Sequence, residues 1–322
     1  MAGFIVSPAE AEHLGLGKRD GLEAHIRPYV NGRDLVQRTR GTMVIDLFGL
    51  NEKEVRQRFP EVYQHLLETV HAGRAEQVKK SATSDAKAYL DKFWLHGKPR
   101  SELRPALATL PRFIATVETT KHRLFQFIGA GVLPDNMVIA ISSDSAFHLG
   151  VLSSSAHLQW TYAKCSLMGV ATFEQGHRYT KSQCFDPFPF PDATPEQCAA
   201  IAELAEELDE TRKAALAEVP GLTMTEIYNL RVKLRSGVAM DLIEQDRATK
   251  ARAGIVNRLH EQIDAAVADA YGWPADLTPS EIVTRLVALN AERAKEEAEG
   301  DVRWLRPDYQ IPRFAAKKAE KK

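Results

Sequence analysis

Phe185-Asp-Pro-Phe-Pro-Phe-Pro191 is the stretch that divides this chain. Three prolines within five residues fix φ and remove backbone donors, which rules out both a helix and a central strand. The segment should be extended and pinned by its aromatic rings. The sequence changes character across it, so a domain boundary is expected just beyond.

Upstream, strand-like runs alternate with helical ones. Thr42-Met-Val-Ile-Asp-Leu-Phe48 reads as a strand closed by Gly49. Val55, Phe59, Val62, Leu66 and Val70 recur at spacings of four and three, which predicts a helix from Glu52 to Val70 that Pro60 kinks or restarts. Phe113–Val117, Arg123–Ile128 and Met137–Ile141 read as three further strands, and Ala146–Ala163 has helical spacing. Downstream the pattern is almost wholly helical. Ile201, Leu204 and Leu208 mark one apolar stripe, and Ile255, Leu259, Ile263 and Val267 another. Thr223–Glu226 and Thr278–Glu281 have the spacing of capping boxes, and Gly237 suits a helix C-terminus. The expected fold class is α+β: a mixed α/β domain over 1–192, a helical bundle over 193–314 and a disordered basic tail over 315–322.

Composition narrows the function. The 322 residues are 44% hydrophobic and 26% charged, in the globular range. No apolar run reaches the roughly 18–20 residues a membrane helix needs, so no membrane partner is expected. The N-terminus lacks the pattern of a signal peptide, and three cysteines spaced 19 and 14 apart form neither a disulfide framework nor a zinc pattern. A reducing cytoplasm is the expected location. The net charge of −1 hides an asymmetry: residues 1–190 hold 23 basic against 19 acidic side chains, and the remainder 19 against 24. A slightly basic, His-rich half on an acidic half suits a nucleic-acid-contacting module on a solvated support.

The chemistry of an enzyme is hard to find. No Pro-Pro pair exists, so the Asn/Asp-Pro-Pro-aromatic loop that holds a flipped base in adenine methyltransferases is missing. Phe127-Ile-Gly-Ala-Gly131 looks like a cofactor turn, but Val132-Leu-Pro-Asp135 follows, and Pro134 argues against the helix such a turn should open. No P-loop, nucleophile elbow or His-Glu-x-x-His helix is present. The chain alone is expected to have no catalytic residues, no metal site and no cofactor.

Many short segments, in order, resemble one family. They include Ile26–Leu35, Pro111–Phe125, Val132–Asn136, Leu149–Ser154, Arg178-Tyr-Thr-Lys181, Cys184–Asp192, Leu222–Leu230 and Arg303–Pro307. Nearly the whole chain resembles the C-terminal half of class I DNA methyltransferases of the MmeI-like (type IIL) restriction–modification group. The resemblance implies a DNA target-recognition domain followed by a helical region. In family members a Rossmann-like methyltransferase domain precedes both, often with a nuclease. The expected partners are double-stranded DNA and a separately encoded methyltransferase domain or subunit, and S-adenosylmethionine is implied for that catalytic part. Because Met1 lies near the expected start of the recognition domain, the chain is expected to be a split specificity polypeptide or a gene fragment.

The resemblance places specificity-determining residues just before and within the Arg-Tyr-x-Lys segment, so Glu174, Gln175, His177 and above all Arg178 are the base-reading candidates. Arginine can bond guanine in bidentate fashion, glutamine suits adenine, and a carboxylate accepts from cytosine. Arg33, Lys121, His122, Arg123, Ser153, Ser154 and Lys181 are the candidates for phosphate contact. Ser154-Ser-Ala-His157 departs from the family's frequent Ser-Arg-x-His and loses a basic group there. The expected function is sequence-specific DNA recognition for an adenine-specific (N6) methyltransferase. A protein-interaction module or a non-functional remnant is the alternative.

Overall fold

The computed structural model describes residues 2–98, 100–164, 166–167 and 177–320. Its strands are short: β1 (Ile5–Val6), β2 (Ile26–Val30), β3 (Met43–Ile45), β4 (Arg112–Val117), β5 (Thr119–Thr120), β6 (Gln126–Gly129), β7 (Leu133–Pro134), β8 (Val138–Ile141), β9 (Ser166–Leu167) and β10 (His177–Arg178). Helices α1 (Pro8–His13), α2 (Gly32–Val36), α3 (Glu52–Arg58), α4 (Pro60–Leu66), α5 (Ala72–Lys80), α6 (Ser84–Asp91) and α7 (Leu103–Leu107) precede β4. After β8 come α8 (Ala146–Ser153) and α9 (Ser155–Lys164). Then follow α10 (Pro195–Glu218), α11 (Met224–Ser236), α12 (Leu242–Lys250), α13 (Ala253–Ala270), α14 (Pro279–Glu299) and α15 (Pro307–Glu320). The fold is α+β.

Two compact units divide the chain. The first holds Met1–Asn31, Thr39–Ala108 and Ala130–Asp135; the second holds Gly32–Arg38, Thr109–Gly129 and Asn136–Lys322. In the first, strands in the order β1-β3-β2-β7 form a sheet, with β2 antiparallel to β3 and parallel to β7. Phe4, Val6, Ile26 and Val44 bury against Val55, Phe59, Val62 and Leu66. The expected helix over 52–70 is divided at Phe59, and Pro60 opens α4 at a position where its missing N–H costs nothing. Asp46 is buried here and accepts from Arg104 Nη1 and Nη2 at 2.6 and 2.8 Å. Burial would raise this carboxyl, but the Arg104 hydrogen bonds and charge outweigh it and hold it below the ordinary range.

In the second unit β6, β4 and β8 form an antiparallel sheet, with Ile114 between Phe127 and Ile141. Leu124, Val151, Trp160 and Phe188 share one core with Ile201, Leu208, Ile227, Leu259 and Ile263. The expected boundary near residue 192 therefore lies inside this unit. The long α10 directs its stripe at α8 and the strands, not only at other helices. Gly150 of α8 makes the close approach possible, because a Cβ there would lie 2.4 Å from Ile201 Cγ2.

The Phe-Pro segment is pinned as expected. Phe188 stacks edge-on against His157 and Phe190, at ring separations of 4.6 and 5.1 Å. Tyr271 Oη donates to the Pro189 carbonyl at 2.8 Å, and Asn290 Nδ2 to that of Pro187 at 2.6 Å. Arg212, fully buried, donates to the Phe125 carbonyl at 2.8 Å, Tyr228 Oη at 2.9 Å and Asp209 Oδ1 at 3.1 Å. These bonds engage both Nη groups, and Asp209 offsets the buried charge.

One local expectation needs correction. Thr223 caps α11 through Glu226 N, but the Glu226 carboxylate turns to Arg247 at 2.7 and 3.0 Å, so only half of that box forms, whereas the Thr278–Glu281 box is complete. The backbone from Pro307 to Glu320 is helical.

Candidate nucleic-acid interface

The candidate surface grows from the end of β4. Glu118 N–H donates to the Met137 carbonyl at 3.0 Å, and its own carbonyl accepts from Tyr179 N–H at 2.7 Å. The chain continues into β5, which pairs antiparallel with β10: Thr119 faces Arg178 and Thr120 faces His177. β10 is the central strand, with β9 on its other side.

Arg178-Tyr-Thr-Lys181 leaves β10 with one side chain in the core and its two basic ones toward solvent. Tyr179 is fully buried, its ring 5.6 Å from that of Phe125 and its hydroxyl 3.2 Å from His157 Nε2. Burial pushes the pKa of His157 down to about 3, so the ring is neutral. Its tautomer is assigned from its partners: Nδ1–H donates to the Leu152 carbonyl at 3.1 Å, and Nε2 accepts from Tyr179. The Arg178 side chain, by contrast, is 48% exposed, and that of Lys181 77%. Arg178 Nε donates to the Glu118 carboxylate, and Lys181 Nζ lies 3.8 Å from Asp186.

Lys121 and His122 continue this edge from β5. Lys121 Nζ and His122 Nε2 meet the same atom, Asn229 Oδ1 of α11, at 2.9 and 2.8 Å. The shared acceptor makes His122 Nε2 a donor. Burial lowers the pKa of His122, and the bond to Asn229 offsets part of that shift. Its ring tilts over Tyr228 at 5.9 Å. One turn nearer the start of α11, about 6 Å along the axis, Thr225 Oγ1 donates to the Val36 carbonyl at 2.8 Å. That bond ties down α2, whose exposed Arg33 donates through Nε to Gln37 at 2.7 Å.

Two of the expected phosphate contacts are engaged internally, and a third is shut off from solvent. Arg123 turns inward: Nη1 donates to Thr116 Oγ1 at 3.1 Å, and the guanidinium lies 4.9 Å from the Tyr179 ring. It braces the strand ends instead of facing solvent. Ser154 is buried, and its hydroxyl donates to the Val151 carbonyl at 2.7 Å where α8 meets α9. The Ser153 hydroxyl oxygen is also shut off from solvent. Glu174 and Gln175 lie outside the described residues, as does the side chain of His177, whose backbone belongs to β10.

The fold thus sets Arg178 beside β5, with Lys121 and His122 leaving one end of the β5–β10 pair and Lys181 the other, places Arg33 near the start of α11, and keeps Ser153 and Ser154 in the helical packing. Residue-level reasoning missed three contributors. Arg38, exposed just after α2, could have been found as part of Gln37-Arg-Thr-Arg-Gly41, a basic turn before a strand. Glu118 and Asn229 carried no local signal, because their importance comes from partners 60 and 107–108 residues away. Among the described residues no cluster of three or more His, Cys, Asp or Glu could hold a metal.

Residues 2–192 match the family model of the MmeI target recognition domain. The chain belongs to this family. In this MmeI-type recognition domain every base-reading and phosphate candidate expected from the sequence falls within the matched span. The solved structure of the type IIL restriction-modification enzyme MmeI in complex with DNA is similar at 18% identity and a TM-score of 0.64, covering 91% of this chain and 34% of that one. At that identity the likeness is one of fold, and it extends beyond the recognition domain into the helices. The chain spans about a third of the length of that MmeI chain. No curated protein matches it.

Proposed function

We propose that this chain reads DNA sequence as the specificity portion of an adenine-specific (N6) DNA methyltransferase of a restriction–modification system. Methyl transfer from S-adenosylmethionine belongs in this reading to a catalytic part outside the chain, a separately encoded methyltransferase domain or subunit. Membership of the MmeI recognition-domain family supports the reading, as does the fold shared with an enzyme solved on DNA. The observation that carries it is the pairing of β5 with β10. It sets exposed Arg178 beside the strand that runs into Lys121, with Lys181 three residues beyond. Arg178 has the reach and donors to read a base edge, and Lys121 and Lys181 to hold phosphates.

Lys121 is held by Asn229 through one N–H of an ammonium that has three, so donors remain for a phosphate oxygen. The test is duplex affinity across a salt series. Each lost phosphate contact should lower the slope of log K against log salt by about 0.9. Lys121→Ala and Lys181→Ala should each reduce the slope by about that amount and weaken binding to all duplexes alike. Unchanged slopes in both variants would remove this edge from the interface.

A further inference from the structure

Glu118 is more firmly held than the arginine it binds. Its backbone N–H and carbonyl are both engaged, to Met137 and Tyr179 at 3.0 and 2.7 Å. Its side chain is 18% exposed against 48% for Arg178, so the carboxylate sits behind the guanidinium. The contact uses Arg178 Nε–H, and among the described residues neither Nη group has a protein partner. We propose that Glu118 is the positioning residue for base reading: it takes the Nε–H and presents the Nη1/Nη2 end of Arg178 to a base edge. This rests on the reading of Arg178 as a base contact.

The chemistry gives the proposal a distinctive sign. An arginine whose Nε is occupied still has two parallel N–H donors at its end, the set that matches the O6 and N7 acceptors of guanine. Fixing a flexible side chain before binding removes ordering cost at the moment of recognition. A carboxylate near DNA also repels phosphates, so a bystander acid would weaken every duplex equally. Losing a bystander would raise affinity for all sequences, whereas losing a positioning acid lowers discrimination at one base. An exposed ion pair contributes little to fold stability, so the effect is expected in reading rather than in folding.

The experiment compares the unaltered 322-residue chain with Glu118→Ala, Glu118→Gln and Arg178→Ala. Each is put through selection from a duplex library with a randomised core, affinity for one fixed unrelated duplex, and urea unfolding. Arg178→Ala should flatten preference at one base position. Glu118→Ala should reduce preference at that same position by about tenfold, within the range a bidentate contact supplies. Its affinity for the unrelated duplex should stay the same or rise. Glu118→Gln, which keeps an acceptor for Nε–H, should restore most of the preference. The proposal is overturned if Glu118→Ala leaves the Arg178-dependent position intact, or weakens binding to all duplexes together with stability. If Arg178→Ala alters no position, or the unaltered chain enriches no motif, the base-reading role itself fails and the proposal fails with it.

Discussion

Gly150→Ala tests the way the strand-bearing part and the later helices share one core. The added Cβ would lie 2.4 Å from Ile201 Cγ2, 3.1 Å from the Ile201 carbonyl oxygen and 3.4 Å from Ala205 Cβ. Ordinary carbon contacts fall at about 3.5–4.0 Å, so the first overlap exceeds an ångström. An Ile201 rotamer change relieves only that contact, because the second is to backbone. Two effects compete. Alanine in place of glycine inside a helix gains about 1 kcal/mol of propensity. Overpacking a filled core costs about 1–3 kcal/mol. Because α8 and α10 must separate to make room, the steric effect should win, with a net loss of about 1–2 kcal/mol. Ile201→Ala alone should cost about 2–5 kcal/mol, since Ile201 is fully buried. The double variant should cost less than the sum by about 1 kcal/mol, because the cavity accepts the new methyl. Urea unfolding read through the midpoint at constant slope gives all three numbers. A neutral or stabilised Gly150→Ala protein, or strict additivity, would show that the two helices are not in such contact.

Arg104→Met leaves the buried Asp46 carboxylate with Arg27, 3.9 Å away, as its remaining ion-pair partner among the described residues, and should cost about 3 kcal/mol in urea unfolding at pH 7. The Asp46 pKa is depressed in the fold, so its contribution is complete above the ordinary carboxylate value near 4 and lost as pH falls through the folded value. Over that low-pH range the Arg104→Met deficit should shrink; a constant deficit would refute the pairing. His157 and His260 are buried and neutral, with pKa values pushed down to about 3 and well below the ordinary value respectively. Below about pH 6.5 the unfolded chain binds protons that the folded chain refuses, so stability should fall by up to about 1.4 kcal/mol per pH unit per histidine. His157→Gln should flatten that dependence between pH 7 and 5, and an unaltered profile would place the proton uptake elsewhere.

The parts of this fold that were legible in the sequence are those where one local pattern meets one environment. Phe113–Val117 and Met137–Ile141 are continuous apolar, β-branched runs and lie in a buried sheet, and Pro60 restarts its helix where the proline rule places the break. The amphipathic stripes of α10 and α13 read directly, but not what they cover, because periodicity shows that a face is buried and not against what. β5 and β10 are two residues each, too short to carry alternation, and exist only through pairing across the fold. At the candidate interface, Lys121 and Arg123 look alike in sequence; the first faces solvent and the second the Tyr179 ring, a choice made by the direction of the turn. Ser154 reads as an accessible helix start, yet the junction of α8 and α9 buries it. The capping box at Thr223 half-forms because Arg247, 21 residues after Glu226, offers the carboxylate a stronger partner than a backbone N–H.

The central claim is that this chain recognises DNA sequence through the edge that carries Arg178. Its most direct test is selection of the purified chain on a randomised duplex library at two salt concentrations. The account predicts enrichment of one short asymmetric motif, with binding that weakens steeply as salt rises. Equal recovery of all sequences at both salt concentrations would contradict it.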